Sequence, residues 1–188
     1  MFRLSEAAQT ELLELARNSI RRTLQESSRQ LVKPAFPELL HYRGAFVTLH
    51  RGGSLRGCIG VPYAISPLYQ TVQECAISAA VSDPRFSPLT LPELDEVEIE
   101  ISVLSPLEKV TDAKTLEIGL HGLAISYRGR RGLLLPQVAK EHAWDRERFL
   151  QMTCRKAGLP ENSWRMGAKV ECFTAFVFAE GNLNKNGD

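Results

Sequence analysis

Two strand-like runs joined by a Gly-Gly pair constrain this chain more than any other feature. Gly44-Ala45-Phe46-Val47-Thr48-Leu49-His50 alternates: Ala45, Val47 and Leu49 share one face, and Phe46, Thr48 and His50 the other. After Arg51-Gly52-Gly53, the run Ser54-Leu55-Arg56-Gly57-Cys58-Ile59-Gly60-Val61-Pro62 reads as the returning strand. Gly-Gly supplies the positive φ angles that a two-residue hairpin turn needs. The chain must therefore hold an antiparallel sheet with one face on a core. Strict alternation along the second strand puts Arg56 and Cys58 on one face, with Gly60 beside them, and sends Leu55 and Ile59 to the core. A guanidinium beside a thiol favours the thiolate form. Glycines in a strand often mark the close approach of a ligand or another backbone.

The other elements follow from the same reasoning. Val97-Glu98-Ile99-Glu100-Ile101-Ser102-Val103-Leu104 has a period of two: Ile99, Ile101 and Val103 face a core, and Glu98, Glu100 and Ser102 share the opposite face. Residues 6–26 read as an amphipathic helix on Leu12, Ala16, Ile20 and Leu24, with Ser5 as N-cap. Arg17, Arg21, Arg22 and Arg29 make its far half basic, either a solvated face or an anion site. Lys33–Pro37 is a Pro-containing connector. Ser66 caps a helix with Pro67 at its first position, and Leu68, Val72, Cys75, Ala76 and Ala79 form its stripe. The loop after it, Ser82-Asp83-Pro84-Arg85-Phe86-Ser87-Pro88, is either part of a site or a stiff connector whose Asp83 and Arg85 satisfy backbone groups. A second hairpin pairs Leu123–Tyr127 with Gly132–Leu135 around the turn Arg128-Gly129-Arg130-Arg131. Pro136 opens a short helix, Asp145 caps a longer one that ends at Gly158, and Lys169–Phe178 is the last strand, with Cys172 packed. The polar tail 181–188 is expected to be mobile.

Composition removes several classes of function. The 188 residues, 44% of them hydrophobic, support one core with room for a smaller lobe. With 23 basic against 22 acidic residues, the chain has no strong positive field, so bulk DNA binding is not expected. No apolar run reaches the ~20 residues of a membrane helix, and the start lacks a signal peptide's apolar segment, so a cytoplasmic protein is expected. Cys58, Cys75, Cys154 and Cys172 form no CxxC pair, so neither a zinc site nor a redox pair is indicated. The chain carries no phosphate-binding GxxxxGK[ST], no GxGxxG after a strand, no HExxH and no GxSxG. No cofactor or metal is expected from these motifs.

Leu55-Arg56-Gly57-Cys58-Ile59-Gly60 resembles, letter for letter, the hexapeptide signature of the AMMECR family. The blocks 44–49, Asp83-Pro84-Arg85-Phe86, 99–104, His121-Gly122, Leu134–Val138 and Lys156–Leu159 resemble that family in the same order, over about residues 5–180. The resemblance implies a single AMMECR domain of α+β class, an antiparallel sheet packed by helices. It implies two unequal lobes, with the LRGCIG strand near the cleft between them. It also implies partners, a Memo-like protein and a radical-SAM enzyme in a three-component AmmeMemoRadiSam system, and links to RNA or nucleotide chemistry. It implies no particular reaction.

Three readings of the hexapeptide follow. In the first, the chain is a binding or accessory module: a small molecule, a nucleotide or RNA, or a partner protein lies in a cleft lined by Arg56 and Cys58. Gly57, Gly60, Asp83, Arg85, Phe86 and Ser102 are then the candidate ligand-binding residues. In the second, it is an enzyme with Cys58 as nucleophile or acid/base, aided by Arg56 and by Glu100 or His121. His121, flanked by Gly122 and poised to titrate near neutral pH, is the first functional histidine. In the third, the hexapeptide only makes a tight strand crossing.

Overall fold

The computed structural model describes residues 3–26 and 33–183. Arg29 and residues 184–188 of the expected tail lie outside the described residues. The chain divides into two compact units. The first joins the residues up to Val103 with those from Phe176 onward, and the second is Leu104–Ala175. Both combine helices with antiparallel strands, so the protein is of α+β class.

In the first unit, α1 (Glu6–Leu24) begins where predicted: the Ser5 hydroxyl accepts the Ala8 N–H at 3.3 Å. β1 (Ala45–Arg51) turns into β2 (Ser54–Val61) through Gly52 and Gly53, at φ +57° and +77°. These left-handed angles are the ones a tight hairpin turn demands. The helix α2 (Leu68–Val81) follows, then the short α3 (Leu91–Leu94), which carries a Thr90/Glu93 capping box. β3 (Val97–Leu104) pairs with the other side of β1, so β2 is the sheet edge. Ala45, Val47, Leu49, Ile99, Ile101 and Val103 form a buried layer, packed with Leu12, Ala16 and Ile20 of α1 and Val72 and Ala76 of α2. Each fully buried leucine, isoleucine or valine contributes about 1.5–3 kcal/mol relative to exposure.

Some local expectations are corrected. Ser66 does not cap α2. The helix starts at Leu68 with Pro67 as N-cap, because Tyr42 bridges to Pro67 and the His41 carbonyl accepts the Leu68 N–H at 2.9 Å. Backbone thus supplies the partner that a serine hydroxyl was expected to give. The basic face of α1 is not an anion site at Arg17. Its Nε and Nη2 donate to Glu180 at 2.7 and 2.6 Å, and its Nη1 and Nη2 to the carbonyls of Leu94 and Val97 at 2.7 and 2.5 Å. The Glu180 carboxylate also accepts the Ile99 N–H at 2.8 Å, so Arg17 is an internal clamp.

In the second unit, β4 (Glu108–Lys109), β5 (His121–Tyr127), β6 (Arg130–Leu134) and the first part of β7 (Lys169–Ala179) form a sheet in the order β6–β5–β7–β4. α4 (Pro136–Glu141) and α5 (Arg146–Lys156) follow β6 in the chain, and α5 packs Phe149, Leu150 and Cys154 with Leu123 and Ile125. Asp145 caps α5 through the Arg148 N–H at 2.7 Å. The hairpin turn is only Arg128-Gly129, at φ +47° and +81°. Arg130 and Arg131 are already strand residues, opposite Tyr127 and Ser126, so the three arginines do not share one tip. Cys172 is half-buried against this core. The short α6 (Glu180–Leu183) holds the first residues assigned to the tail.

Candidate functional site

The hexapeptide strand departs from strict alternation. Gly57 lies opposite Leu49 and Leu55 opposite His50, so Arg56 is the extra residue of a β-bulge. The bulge shifts the faces, as a one-residue slip must. Leu55 pairs on the His50 side and is 42% exposed instead of entering the core. The Arg56 side chain, only 13% exposed, donates from Nε to Glu93 at 3.2 Å and from Nη1 to the Ser87 carbonyl at 3.0 Å. Glu93 also pairs with Arg51 at 3.0 Å. Arg56 is therefore committed to this ion pair, and not to the thiol of Cys58.

Cys58 is fixed through its backbone. At this point the edge strand has no further strand to bond. The Asp83 carboxylate accepts the Cys58 N–H at 2.8 Å, and Arg85 Nη2 donates to the Cys58 carbonyl at 3.2 Å. Asp83, 4% exposed, is itself held by Arg85 Nε and Nη2 at 3.0 and 2.7 Å and by the Arg85 N–H at 3.1 Å. One acidic and one basic side chain thus stand in for a neighbouring strand. The Arg85 hydrogen bonds, with those from the Cys58 and Arg85 backbone, hold the Asp83 carboxyl well below the usual aspartate range. The Thr90 N–H, then Arg56, hold Glu93 down at about 2. Phe86 lies under both guanidiniums, 6.0 Å from Arg56 and 5.5 Å from Arg85. The stiff-connector reading of this loop is what its geometry displays, with Cys58 as the residue it positions.

The two glycines admit other parts of the protein. A Cβ at Gly57 would collide with the Ala79 carbonyl of α2, and one at Gly60 would enter the Phe46 ring. Gly57 lets a helix close on the sheet and Gly60 lets an aromatic ring lie across it.

What remains on the face opposite α1 and α2 is a row of polar side chains. Cys58 pairs with Thr48 and Thr48 with Glu100, so the three lie side by side across β2, β1 and β3. Thr48 Oγ1 donates to Cys58 Sγ at 3.4 Å. One row along, His50 lies opposite Glu98; on the other side, Phe46 lies opposite Ser102. Ser102 is 2% exposed. Cys58 and Glu100 are half-buried. His121 belongs to the second unit, where its Nδ1 accepts the Glu117 N–H at 2.9 Å. Of the candidate catalytic set, the geometry brings Cys58 and Glu100 into one row and gives Arg56 and His121 other partners. The sequence reading did not single out Thr48, His50 or Glu93. The alternation of β1 displayed the first two, and the Thr90-x-x-Glu93 spacing marked the third. The other cysteines are packed, and burial pushes the Cys75 thiol up to about 11. Among the described residues no group of histidine, cysteine, aspartate and glutamate side chains could hold a metal ion. None of their helices is long and apolar enough to cross a membrane.

A helix-backed antiparallel sheet whose edge strand carries LRGCIG, with a polar face built on its cysteine, is the architecture that the comparisons with known proteins then place in a family. The chain belongs to the AMMECR1 family, whose model matches residues 13–178. It is 45% identical over 164 residues to a protein of Methanocaldococcus jannaschii, covering 82% of each chain. It is 42% identical over 193 residues to a protein of Pyrococcus furiosus, covering 96% of this chain and 91% of the other. The crystal structure of an uncharacterised protein from Pyrococcus horikoshii superposes with a TM-score of 0.83 at 41% identity, covering 90% of this chain and 89% of that one.

Proposed function

We propose that the chain is a binding module, and that the polar face of β2, β1 and β3 around Cys58, Thr48 and Glu100 is its binding surface. The observation that carries this reading is the cost of building the row. After a β-bulge at Arg56, a buried aspartate and an arginine hold the backbone of one half-buried cysteine in place. Rigid support beneath a small set of polar side chains is what a recognition surface requires. Asp83 and Arg85 act here as positioning residues, while Cys58, Thr48 and Glu100 face the ligand. We further propose, from the family resemblance, that it serves as the accessory component beside a Memo-like protein and a radical-SAM enzyme.

The test is a co-purification of the two separately expressed partners with the wild-type chain and two variants. Cys58→Ala should retain the complex. Gly60→Val, which drives the Phe46 ring off β2, should lose it while the protein remains folded by circular dichroism. Loss with Cys58→Ala and retention with Gly60→Val would contradict the reading. A second reading rests on the Thr48–Cys58 hydrogen bond with Glu100 in the same row, where Cys58 acts as nucleophile and Glu100 as acid/base. It predicts that Cys58→Ser keeps partner binding and abolishes any turnover of the assembled system.

A further inference from the structure

Charge is unevenly divided along the chain. Leu104–Ala175 carries twelve lysines and arginines against eight acids, a net +4 in a chain whose total is +1, so the remaining residues carry −3. Part of that excess gathers where the β5–β6 hairpin meets the end of α5. A Cβ at Gly132 of β6 would collide with the backbone of Lys156 and Ala157, so β6 lies directly against the helix end. Arg130, across from Tyr127, donates from Nη1 to the Gly158 carbonyl. Arg128, at the turn, lies over the Tyr127 ring at 5.1 Å. Arg155 and Lys156 belong to the last turn of α5, and all four cations are exposed. The C-terminal end of the helix offsets about half a charge. Neither a carbonyl nor an aromatic ring removes the charge of a guanidinium. Among the described residues no carboxylate pairs with Arg128, Arg130 or Lys156, and Arg155 shares Glu161 with Arg148. By contrast, Arg165 has Glu147 and Lys169 has Glu171. The end of α5 with its hairpin is therefore a patch of uncompensated positive charge.

We propose that this patch docks a short acidic segment, a run of aspartates and glutamates, of a partner protein. The patch lies within the second unit and is independent of the reading of the Cys58 face. Guanidinium groups meet carboxylates through paired N–H donors, and arginines make up three of the four cations. A nucleic acid fits less well. The half-buried aromatic rings of this unit are already stacked: Tyr127 under Arg128, Trp164 under Arg165 at 4.5 Å, and Trp144 against His142 at 4.7 Å. All three also pack on the core of the unit, so bases find no open aromatic platform there. A total charge of +1 gives a long phosphate backbone no extended positive field. A short acidic peptide needs only the local patch.

The experiment is a backbone-amide NMR titration of the isotope-labelled full chain at low salt with acetyl-hexaglutamate amide, with acetyl-hexaglutamine amide as the neutral control, and with an oligouridine RNA. The expected result is saturable shifts at the amides of Arg130, Lys156 and Gly158 with hexaglutamate, weakened as salt rises, and none with hexaglutamine. Each exposed ion pair contributes up to about fivefold in affinity. The double variant Arg128→Ala/Lys156→Ala should therefore weaken hexaglutamate binding at least about fivefold. Lys156→Glu gives a second variant that leaves the hairpin turn untouched, and it should weaken binding likewise. Unchanged affinity in both variants, or no shift at these amides, would overturn the proposal. Equal shifts with hexaglutamine would overturn the role of charge. Tighter binding of oligouridine than of hexaglutamate would give the patch to a nucleic acid and overturn the acidic segment. Shifts at the same amides that grow with protein concentration alone would give it to a second copy of the chain, with the same consequence.

Discussion

Asp83→Ala should uncouple the edge strand from its support, and the cost can be worked from its bonds. Asp83 accepts two backbone N–H groups, from Cys58 at 2.8 Å and Arg85 at 3.1 Å, and two bonds from the Arg85 guanidinium. The Arg85 side chain is 54% exposed, so water takes over its donors when the carboxylate is gone. The two backbone donors lose a charged acceptor, each bond contributing about 1.5–3 kcal/mol, part of which hydration recovers. The net loss expected is about 3 kcal/mol, or roughly 6–12 °C in Tm for a chain of this length. Asp83→Asn keeps one acceptor oxygen and should lose about half as much. Arg85→Ala leaves both backbone bonds in place but strands the Asp83 carboxylate, whose side chain is 2% exposed, and the Cys58 carbonyl, and should cost about 1–3 kcal/mol. Urea unfolding at pH 7, with the slope held common to the series, measures all three. An Asp83→Ala cost below about 0.5 kcal/mol would refute the assignment of Asp83 as the element that holds Cys58.

Further outcomes follow from the same geometry. The folded-state carboxyls of Asp83 and Glu93 both lie below their ordinary values, so their stabilisation is complete above about pH 5 and is lost as pH falls toward 2. Asp83→Asn should flatten the acid limb of a stability–pH profile, and an unchanged limb would count against the assignment. Arg17→Ala strands the Glu180 carboxylate and two backbone carbonyls, and should cost about 2–4 kcal/mol by urea unfolding; a value under ~0.5 kcal/mol would reduce the clamp to a surface pair. Gly57→Val drives a side chain into the Ala79 carbonyl and should destabilise by about 3 kcal/mol or more. Gly52→Ala, at positive φ with open space around it, should lose only about 1 kcal/mol. Equal losses at the two glycines would contradict the packing role of Gly57.

Most of the fold was legible because periodicity and turn chemistry are local. The Gly52-Gly53 hairpin, the alternation of Val97–Leu104 and the Ser5 and Asp145 caps each depend on residues a few positions apart. The candidate site was only half legible. The face of Thr48, Glu100 and Ser102 followed from alternation, but the same rule misplaced Leu55 and Arg56, because nothing in Leu55-Arg56-Gly57 announces a bulge. The partner of Arg56 lies 37 residues away at Glu93, and that of Arg17 163 residues away at Glu180. Tertiary contacts of that separation decide which charges are free, and a count of arginines along a helix or at a turn cannot. The Asp83–Arg85 loop shows the same limit. Its composition allowed a connector as readily as a site, and only the register of the edge strand reveals that it positions Cys58.

The most direct measurement is the rate at which iodoacetamide alkylates Cys58 in the folded chain, followed by mass spectrometry with and without a saturating excess of the two proposed partner proteins. Cys172, half-buried in the second unit, serves as the internal reference. The account predicts that the bound partners slow alkylation of Cys58 at least tenfold and leave Cys172 unchanged. An unchanged rate at Cys58, in a chain shown by size-exclusion chromatography to be fully bound, would mean that binding occurs elsewhere and that the Cys58 face is not the recognition surface.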